Sequence, residues 1–249
     1  MRRFTIAPER ISGDRVLFDA DETRHLVRVL RLGPGDVVTA TDGRGGAWAV
    51  RLLTLGDQAT GTIVGAASLA AESPLAIALV QAVPKGDRME AIVRATTELG
   101  VARILPALTE RTVVNLDAAQ WGERARRWQR VAREATKQCG RAVVPLVEAP
   151  RPLAEWIASE TEADLRLCLW EREGTPLRRV LETRQTLPRS ASVIVGPEGG
   201  LTGDEVARAG AAGYVSVTLG ERILRAETAG PAIVALLQYG LGDLGGPAR

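Results

Sequence analysis

Two glycine-rich turns near the carboxyl end of the chain place the strongest constraint on its fold. Each follows a short apolar run typical of a buried strand: residues 192–195 lead into GPEGG at 196–200, and residues 214–219 lead into a turn at Gly220. In an alternating α/β chain such turns leave the carboxyl ends of strands, where ligands bind in open sheets. Glycine there lets the backbone approach a bound molecule closely. The sequence therefore predicts that both turns form one small-molecule cleft.

From residue 75 onward, strand-like and helical segments alternate. Apolar runs predict strands at 75–83, 102–108, 144–148, 165–170, 192–196 and 214–219. Intervening segments predict helices near 87–99, 121–139, 152–160, 176–184, 202–210 and 227–239, and a capping box at 202–205 starts one of them. Strands that alternate with helices form a mostly parallel sheet covered on both faces. We therefore predict an α/β domain over residues 75–249.

Residues 1–70 show short strand-like runs separated by turn sequences. Strands are predicted near 16–18, 37–40, 47–52 and 61–64, with one helix at 21–31. Turn sequences such as GPGD and DGRGG separate them. This pattern predicts a small β-barrel domain over residues 1–70, joined to the second domain by a linker at 66–74.

Composition excludes several kinds of site and location. Because His25 is the single histidine, and Cys139 and Cys168 lie far apart, no metal cluster is expected. The longest apolar stretch, 75–83, is less than half the length of a membrane-spanning helix. The charged residues 1–5 are not followed by the apolar segment of a secretion signal. We therefore expect a cytoplasmic protein without a metal ion or a membrane association.

The segment from Trp121 to Arg141 predicts a helix with charge on one face. At about 100° per residue, one face contains Trp121, Ala125, Trp128, Ala132, Ala135 and Cys139, and the opposite face contains Arg126, Arg127, Arg130, Arg133, Lys137 and Arg141. Seven cations and two anions give this segment a net charge of +5. A solvated face usually mixes both signs, so this one favours salt-dependent binding of a polyanion. An ordinary solvated helix face remains the alternative.

The two turns lack the motifs of the common nucleotide sites. No G-x-G-x-x-G follows a strand, and neither a G-x-x-x-x-G-K-[ST] loop nor a G-x-S-x-G elbow is present. A ligand would therefore be held by backbone groups and apolar side chains. Leu219, Ile223 and Leu224 suit a flat adenine ring. S-adenosylmethionine fits such a cleft because it combines adenine with a cationic sulfonium and carries no phosphate.

Several motifs together resemble the RsmE-type 16S rRNA uridine-N3 methyltransferases of the SPOUT superfamily. They are GPEGG at 196–200, LGERILRAETA at 219–229, TELGV at 97–101, EATKQCGR at 134–141 and, in the N-terminal module, HLVRVLR at 25–31. The resemblance covers nearly the whole chain. It implies a PUA-like β-barrel, followed by a SPOUT domain with a trefoil knot. It also implies a homodimer, S-adenosylmethionine as the cofactor, and 16S rRNA or the small ribosomal subunit as the substrate.

Candidate residues for each site follow from these motifs and from the basic segments. The expected cofactor-binding residues are Leu169, Gly196, Pro197, Gly199, Gly200, Leu219, Gly220, Ile223, Leu224 and Thr228. The residues expected at RNA are Arg24, His25, Arg28, Arg31, Lys85, Glu98, Arg111, Arg126, Arg130, Arg133, Lys137, Gln138 and Arg141. The residues expected around the target nucleotide are Glu98, Arg111, Glu134, Gln138 and Arg141, with Arg141 and Lys85 facing phosphates.

Methylation of uracil N3 requires that the imide nitrogen lose its proton. A base must accept that proton, and a guanidinium can stabilise the charge that develops on the flanking carbonyl oxygens. Arg225 is the expected donor and Glu227 or Glu198 the expected base, unless these carboxylates bind backbone amides or an arginine of a partner subunit. Two other functions remain open. One is a SPOUT enzyme that methylates a ribose 2′-hydroxyl or a tRNA base, and the other is a non-catalytic RNA-binding ribosome assembly factor.

Overall fold

The computed structural model of the protein describes residues 3–69 and 71–246. Outside these ranges lie residues 1, 2, 70 and 247–249. They include part of the charged start of the chain and the ends of the predicted domains. The chain divides into two compact units: the first contains the residues up to Glu72 together with Arg133–Val144, and the second contains Ser73–Ala132 and the chain from Pro145 onward. Residues 133–144, expected in the second domain, thus group with the first unit. The boundaries at 70 and 75 stay a prediction.

The first unit is built on a six-stranded sheet. Its strands are β1 (Arg3–Thr5), β2 (Ile11–Ser12), β3 (Arg15–Leu17), β4 (Val37–Thr41), β5 (Ala47–Leu55) and β6 (Ala59–Ala66), with a 3₁₀ turn at Pro8–Arg10. The strand order is β1-β4-β5-β6-β3-β2, in which β1 and β4 are parallel and the other pairs are antiparallel. Alternate side chains of these strands point to one face. Phe4, Val38, Val50 and Leu52 there form the core.

The helix predicted at 21–31 is shorter and changes its winding. Helix α1 spans Ala20–Arg24, and the Asp19 carboxylate caps it by accepting the Glu22 N–H at 2.7 Å. The segment continues as a π-helical turn, His25–Val29. Arg31 then adopts a left-handed φ of 52°, which ends the helical segment.

The second unit contains a sheet that is parallel throughout its described pairings. Its strands are β7 (Ala76–Ala82), β8 (Arg103–Leu108), β9 (Leu146–Val147), β10 (Arg151–Pro152), β11 (Leu165–Leu169), β12 (Thr175–Pro176), β13 (Ser190–Val195) and β14 (Val215–Thr218). The strand order is β10-β8-β7-β13-β11-β14-β12, with β9 beside β8. The predicted α/β fold with a mostly parallel sheet is confirmed.

Helices connect these strands at nearly the predicted positions. They are α2 (Arg88–Glu98), α3 (Ala118–Cys139, whose last seven residues belong to the first unit), α4 (Leu153–Ser159), α5 (Leu177–Glu182), α6 (Gly203–Ala211) and α7 (Ala226–Leu241). The predicted capping box is present. Thr202 Oγ1 accepts the Glu205 N–H at 3.3 Å, and the Glu205 carboxylate accepts the Thr202 N–H at 2.9 Å. This box starts α6 directly after the first glycine-rich turn.

Candidate cofactor and RNA sites

Three neighbouring strands bring the two glycine-rich turns together. β11 lies between β13 and β14, and all three strands are parallel. Their carboxyl ends therefore lie at the same edge of the sheet. The turns that follow them, 169–171, 196–201 and 219–224, line one cleft. The two turns predicted to share a cleft do lie together.

The walls of this cleft fit a molecule that is partly flat and apolar. The cleft encloses about 90 Å³, or about 600 Å³ when the space at its open mouth is included. Gly200 and Gly220 have φ of 71° and 119°, which side-chain-bearing residues rarely adopt. The indole Nε1 of Trp170 is buried and has no hydrogen-bond partner among the described residues. Apolar side chains beside exposed glycine backbone suit an adenosine group, which has both a flat apolar face and a polar edge.

Eight of the expected cofactor-binding residues line the cleft. They are Leu169, Gly196, Pro197, Gly200, Leu219, Gly220, Ile223 and Leu224. The structure corrects the expectation for Gly199 and Thr228, which are absent from the wall. Gly199 instead faces Arg111, whose Nη1 donates to the Gly199 carbonyl at 2.7 Å. Thr228 is exposed in the first turn of α7.

Other residues of the wall were not expected from the sequence. They are Trp170, Glu171, Val195, Leu201, Val217, Thr218, Arg222, Ala226 and Ala229. Trp170 and Glu171 directly follow an apolar strand, the same pattern that pointed to the glycine-rich turns, so this signal was available. Glu171 adds a carboxylate and Arg222 a guanidinium to a wall that is otherwise mostly apolar.

Glu198 is held by donors of its own chain. Its Oε1 accepts the backbone N–H of Lys85 at 3.0 Å and forms an ion pair with Arg88 Nη1. Burial opposes ionisation of this carboxyl, but hydrogen bonds from its own backbone N–H, from Lys85 and from Arg88 outweigh burial and lower its pKa. A carboxylate with a lowered pKa is a poor proton acceptor. The structure therefore favours the alternative that Glu198 binds backbone amide and arginine, here from the same chain.

Glu227 has a different environment. It lies in the first turn of α7, where its Oε1 is 3.7 Å from Arg88 Nε and 4.0 Å from Arg225 Nη1. Its Oε2 is buried and has no hydrogen-bond partner among the described residues. Arg225 itself is the N-cap residue of α7, with a side chain that is 82% exposed. Glu227 thus offers a buried acceptor oxygen that no described residue occupies.

The RNA candidates of the second unit do not all lie at the cleft edge of the sheet. Lys85 is exposed in the turn after β7, and Arg111 binds the first glycine-rich turn. Glu98, in contrast, ends α2 near Ala102, whose N–H donates to Ile77 O at the start of β7. The amino ends of parallel strands lie at the edge opposite their carboxyl ends. Glu98 therefore lies at the sheet edge opposite the cleft of its own chain, and its contact with the target nucleotide stays a prediction.

Helix α3 has the predicted division into an apolar and a charged face. Trp121, Ala125, Trp128, Ala132 and Ala135 are buried, and Cys139 is half-buried. In the second unit Arg126 and Arg130 are exposed, whereas Arg127 Nε lies 2.6 Å from Glu90 Oε1. Exposed arginines without a neighbouring carboxylate are the ones that can contact phosphate.

In the first unit, two predicted RNA-binding cations are already paired. Lys137 forms an ion pair with Glu22 and lies 2.9 Å from Glu134 Oε1, and its side chain is 11% exposed. Burial alone would lower the pKa of Lys137, but the charges and hydrogen bonds of Glu22 and Glu134 outweigh it and raise the pKa. Arg141 Nη2 lies 2.6 Å from Glu72 Oε2 and is equally covered. The structure therefore corrects both residues from RNA contacts to ion pairs within the unit.

The remaining candidates of the first unit are at its surface. Arg24, Arg28, Arg31, Arg133 and Gln138 are exposed. His25 is half-buried, with its ring centroid 5.6 Å from that of Phe4 and its Nδ1 4.0 Å from Glu22 Oε2. These contacts indicate a structural role for the histidine. The arginines are accessible to phosphate, although Arg24 Nη1 also lies 3.3 Å from Asp21 Oδ1 in an exposed ion pair.

The described residues also bear on other kinds of site. They contain no group of three or more His, Cys, Asp or Glu residues placed to hold a metal ion. Within the same ranges, no helix is both long enough and apolar enough to cross a membrane.

Comparison with known proteins agrees with these features. The family described as RNA methyltransferase domain matches residues 71–238, and the RNA methyltransferase PUA domain matches residues 18–61. A ribosomal RNA small subunit methyltransferase E from Synechocystis sp. is 37% identical over 237 residues, which cover 95% of this chain and 76% of the relative. A relative of the same name from Bacillus subtilis is 29% identical, with 88% of both chains covered.

A solved structure extends the similarity to the fold. The ribosomal RNA small subunit methyltransferase E from Neisseria gonorrhoeae, bound to S-adenosyl methionine, is 34% identical to this chain. The two structures have a TM-score of 0.88, over 98% of this chain and 99% of the other. The chain therefore belongs to the RNA methyltransferase family, with a PUA domain at its N-terminal end, alongside the ribosomal RNA small subunit methyltransferases E.

Proposed function

We propose that this chain methylates N3 of a uridine in the 16S rRNA of the small ribosomal subunit, with S-adenosylmethionine as the methyl donor. The observation that carries the proposal is the cleft at the carboxyl ends of β13, β11 and β14, because the motifs of the family resemblance form its turns. Family membership and the S-adenosyl methionine bound to the Neisseria relative support the choice of cofactor.

The cofactor would supply a methyl group on a cationic sulfonium for in-line transfer, so the protein contributes mainly orientation. Leu219, Ile223 and Leu224 would pack against its adenine ring. Backbone groups of the glycine-rich turns would bond the edge of the ring. Because Gly200 and Gly220 are left-handed, the two turns present main-chain atoms to the cleft where other residues would be strained.

Glu227 is the residue that we assign as the base that accepts the proton of uracil N3. Its Oε2 is a buried acceptor without a hydrogen-bond partner among the described residues. Its Oε1 lies 3.7 Å from Arg88 Nε and 4.0 Å from Arg225 Nη1, which hold the carboxylate in place. The amino end of α7 favours negative charge at the same place. The exposed Arg225, beside Glu227, would stabilise the charge that develops on a uracil carbonyl oxygen.

The exposed cations of each unit are the proposed contacts to RNA phosphates. They are Arg24, Arg28, Arg31 and Arg133 in the first unit, and Lys85, Arg126 and Arg130 in the second. Contacts of this kind position the RNA without reading its sequence. The predicted domains 1–70 and 75–249, and a cytoplasmic location where ribosomal RNA is modified, belong to the same proposal.

A homodimer and a trefoil knot complete the proposal, since the family resemblance implies both. Helix α7 leaves Leu236 and Tyr239 exposed, and Ile223 at the second turn is 81% exposed. Exposed apolar side chains on one unit support burial against a second subunit.

Mass analysis of nucleosides tests the proposed reaction. The protein would be incubated with S-adenosylmethionine and either naked small-subunit RNA or the assembled particle. We expect 3-methyluridine, whereas a 2′-O-methylated nucleoside or a modified tRNA would establish the related SPOUT activity instead. RNA binding without cofactor binding in calorimetry would establish the assembly factor. As a matched variant, Glu227→Gln should lower the methylation rate at saturating S-adenosylmethionine about 100-fold or more, the usual effect of removing a general base.

A further inference from the structure

One arginine contacts two segments that border the cofactor cleft. Arg88, the first residue of α2, forms an ion pair with Glu198 through Nη1, and its Nε lies 3.7 Å from Glu227 Oε1. Glu198 belongs to the turn after β13, and Glu227 belongs to the start of α7, which follows the turn after β14. A single guanidinium therefore links two segments that are separate in the chain.

The position of Arg88 follows from the sheet. β7 pairs with β13 in parallel from Ala76 opposite Ser190 to Gln81 opposite Val195. The turn after β7 consequently lies beside the first glycine-rich turn, which the Lys85 N–H also holds through Glu198 at 3.0 Å. The first glycine-rich turn is thus bonded to the turn after β7. Arg88 connects it in addition to the start of α7.

The two carboxylates share this guanidinium unequally. Glu198 receives a direct hydrogen bond from Arg88, whereas Glu227 lies at the longer distance of 3.7 Å. The side chains of Arg88, Glu198 and Glu227 are 44%, 30% and 24% exposed, so solvent screens the pairs only in part. A planar guanidinium can bridge two carboxylates, which a compact ammonium group does less well.

We propose that Arg88 is a positioning residue for the cofactor, whose guanidinium sets the separation of the first glycine-rich turn from the start of α7. Without it, the carboxylates of Glu198 and Glu227, which lie on the same guanidinium, repel each other. The turns then move apart, and the cleft loses its fit to adenosine. The inference rests on the proposed use of S-adenosylmethionine and is independent of the RNA base that is methylated.

Calorimetry with S-adenosylmethionine tests this role without RNA. Arg88→Ala should bind the cofactor about tenfold more weakly, a loss that corresponds to about 1.4 kcal/mol. Arg88→Lys should have an intermediate affinity, because it keeps the charge but not the planar fork. Arg94→Ala, which removes an exposed arginine of the same helix, is the matched control and should bind as the unmodified protein does.

Two further measurements separate positioning from general stability. Thermal unfolding of the cofactor-free proteins should give similar midpoints for Arg88→Ala and Arg94→Ala. As a single variant, Glu198→Gln should weaken cofactor binding. The double variant of Arg88→Ala and Glu198→Gln should bind no more weakly than Arg88→Ala, because the effects of coupled residues are not additive. Wild-type affinity in Arg88→Ala, or fully additive losses, would overturn the inference. Should Arg88→Ala fail to fold, wild-type affinity in Arg88→Lys would overturn it equally. Failure of the proposed uridine chemistry would change the methylated product and leave these affinities unaffected.

Discussion

Replacement of Lys137 by methionine distinguishes a structural ion pair from an RNA contact. The Lys137 and Glu22 side chains are 11% and 6% exposed, and both lie in the first unit. Removal of one partner of a buried ion pair costs about 3–5 kcal/mol, because the remaining charge is buried without compensation. Glu134 is 65% exposed, so its own pairing with Lys137 contributes little.

The protonation of Glu22 sets the size of this effect. Burial already raises the pKa of Glu22, although Lys137 opposes that shift. In Lys137→Met the Glu22 carboxyl can take up a proton, which avoids a buried unpaired charge. We therefore expect the lower end of the 3–5 kcal/mol range, a loss of about 3 kcal/mol in the free energy of unfolding. Because the folded pKa of Lys137 is raised, the lysine contributes stability below its ordinary pKa and loses it as the pH rises through the folded value.

Urea unfolding at neutral pH measures the loss in Lys137→Met, in Glu22→Gln and in the double variant. The double variant should be more stable than Lys137→Met, since it no longer buries an unpaired charge. Arg133→Ala removes an exposed cation of the same helix and should change the unfolding free energy by less than about 0.5 kcal/mol. If Lys137→Met is as stable as Arg133→Ala and binds RNA more weakly, the assignment of Lys137 to an internal ion pair is refuted.

Three further variants or reagents test other parts of the account. Gly220→Val forces a branched side chain into a φ of 119°, a strain of about 1–3 kcal/mol; calorimetry should show at least tenfold weaker cofactor binding, with Gly199→Ala close to wild type, and equal affinities would contradict the cleft. Joint replacement of Arg126, Arg130 and Arg133 by alanine should reduce the slope of log affinity against log salt by about 2 and spare cofactor binding; an unchanged slope would show an ordinary solvated face. Burial raises the pKa of Cys168 to about 12, so iodoacetamide at pH near 8 should alkylate the half-buried Cys139 first; mass spectrometry that finds equal labelling would contradict this environment.

The sequence carried enough information to locate the cleft. The turns at 196–200 and 219–224 follow apolar runs, and parallel strands place such turns at one edge of a sheet. The face of α3 that contains Trp121 and Trp128 was also predictable, because helical period alone determines which side chains share a face. Local pattern was sufficient wherever the feature depends on neighbours in the chain.

Pairing partners could not be predicted in the same way. Glu22 and Lys137, like Arg88 and Glu198, are more than 100 residues apart, and helical period shows that a cation points outward without showing what it meets there. Glu98 lies within a family motif, but the structure places it at the edge of the sheet opposite the cleft. Its position depends on the direction of α2, which the motif does not show. Gly199 and Gly200 are adjacent and chemically identical, and only the position of Arg111 shows which one faces away from the cleft.

The destination of the methyl group tests the central claim most directly. Small-subunit RNA would be incubated with the protein and S-adenosylmethionine that carries an isotopic label in its methyl group, and then copied by reverse transcriptase. A methyl group on N3 blocks the pairing edge of uracil, so we predict a labelled 3-methyluridine and a matching stop at one uridine. Both should be strongly reduced with Gly220→Val at a limiting concentration of cofactor. Label on a ribose without a stop at uridine, or no transfer by a protein that binds the cofactor, would contradict the account.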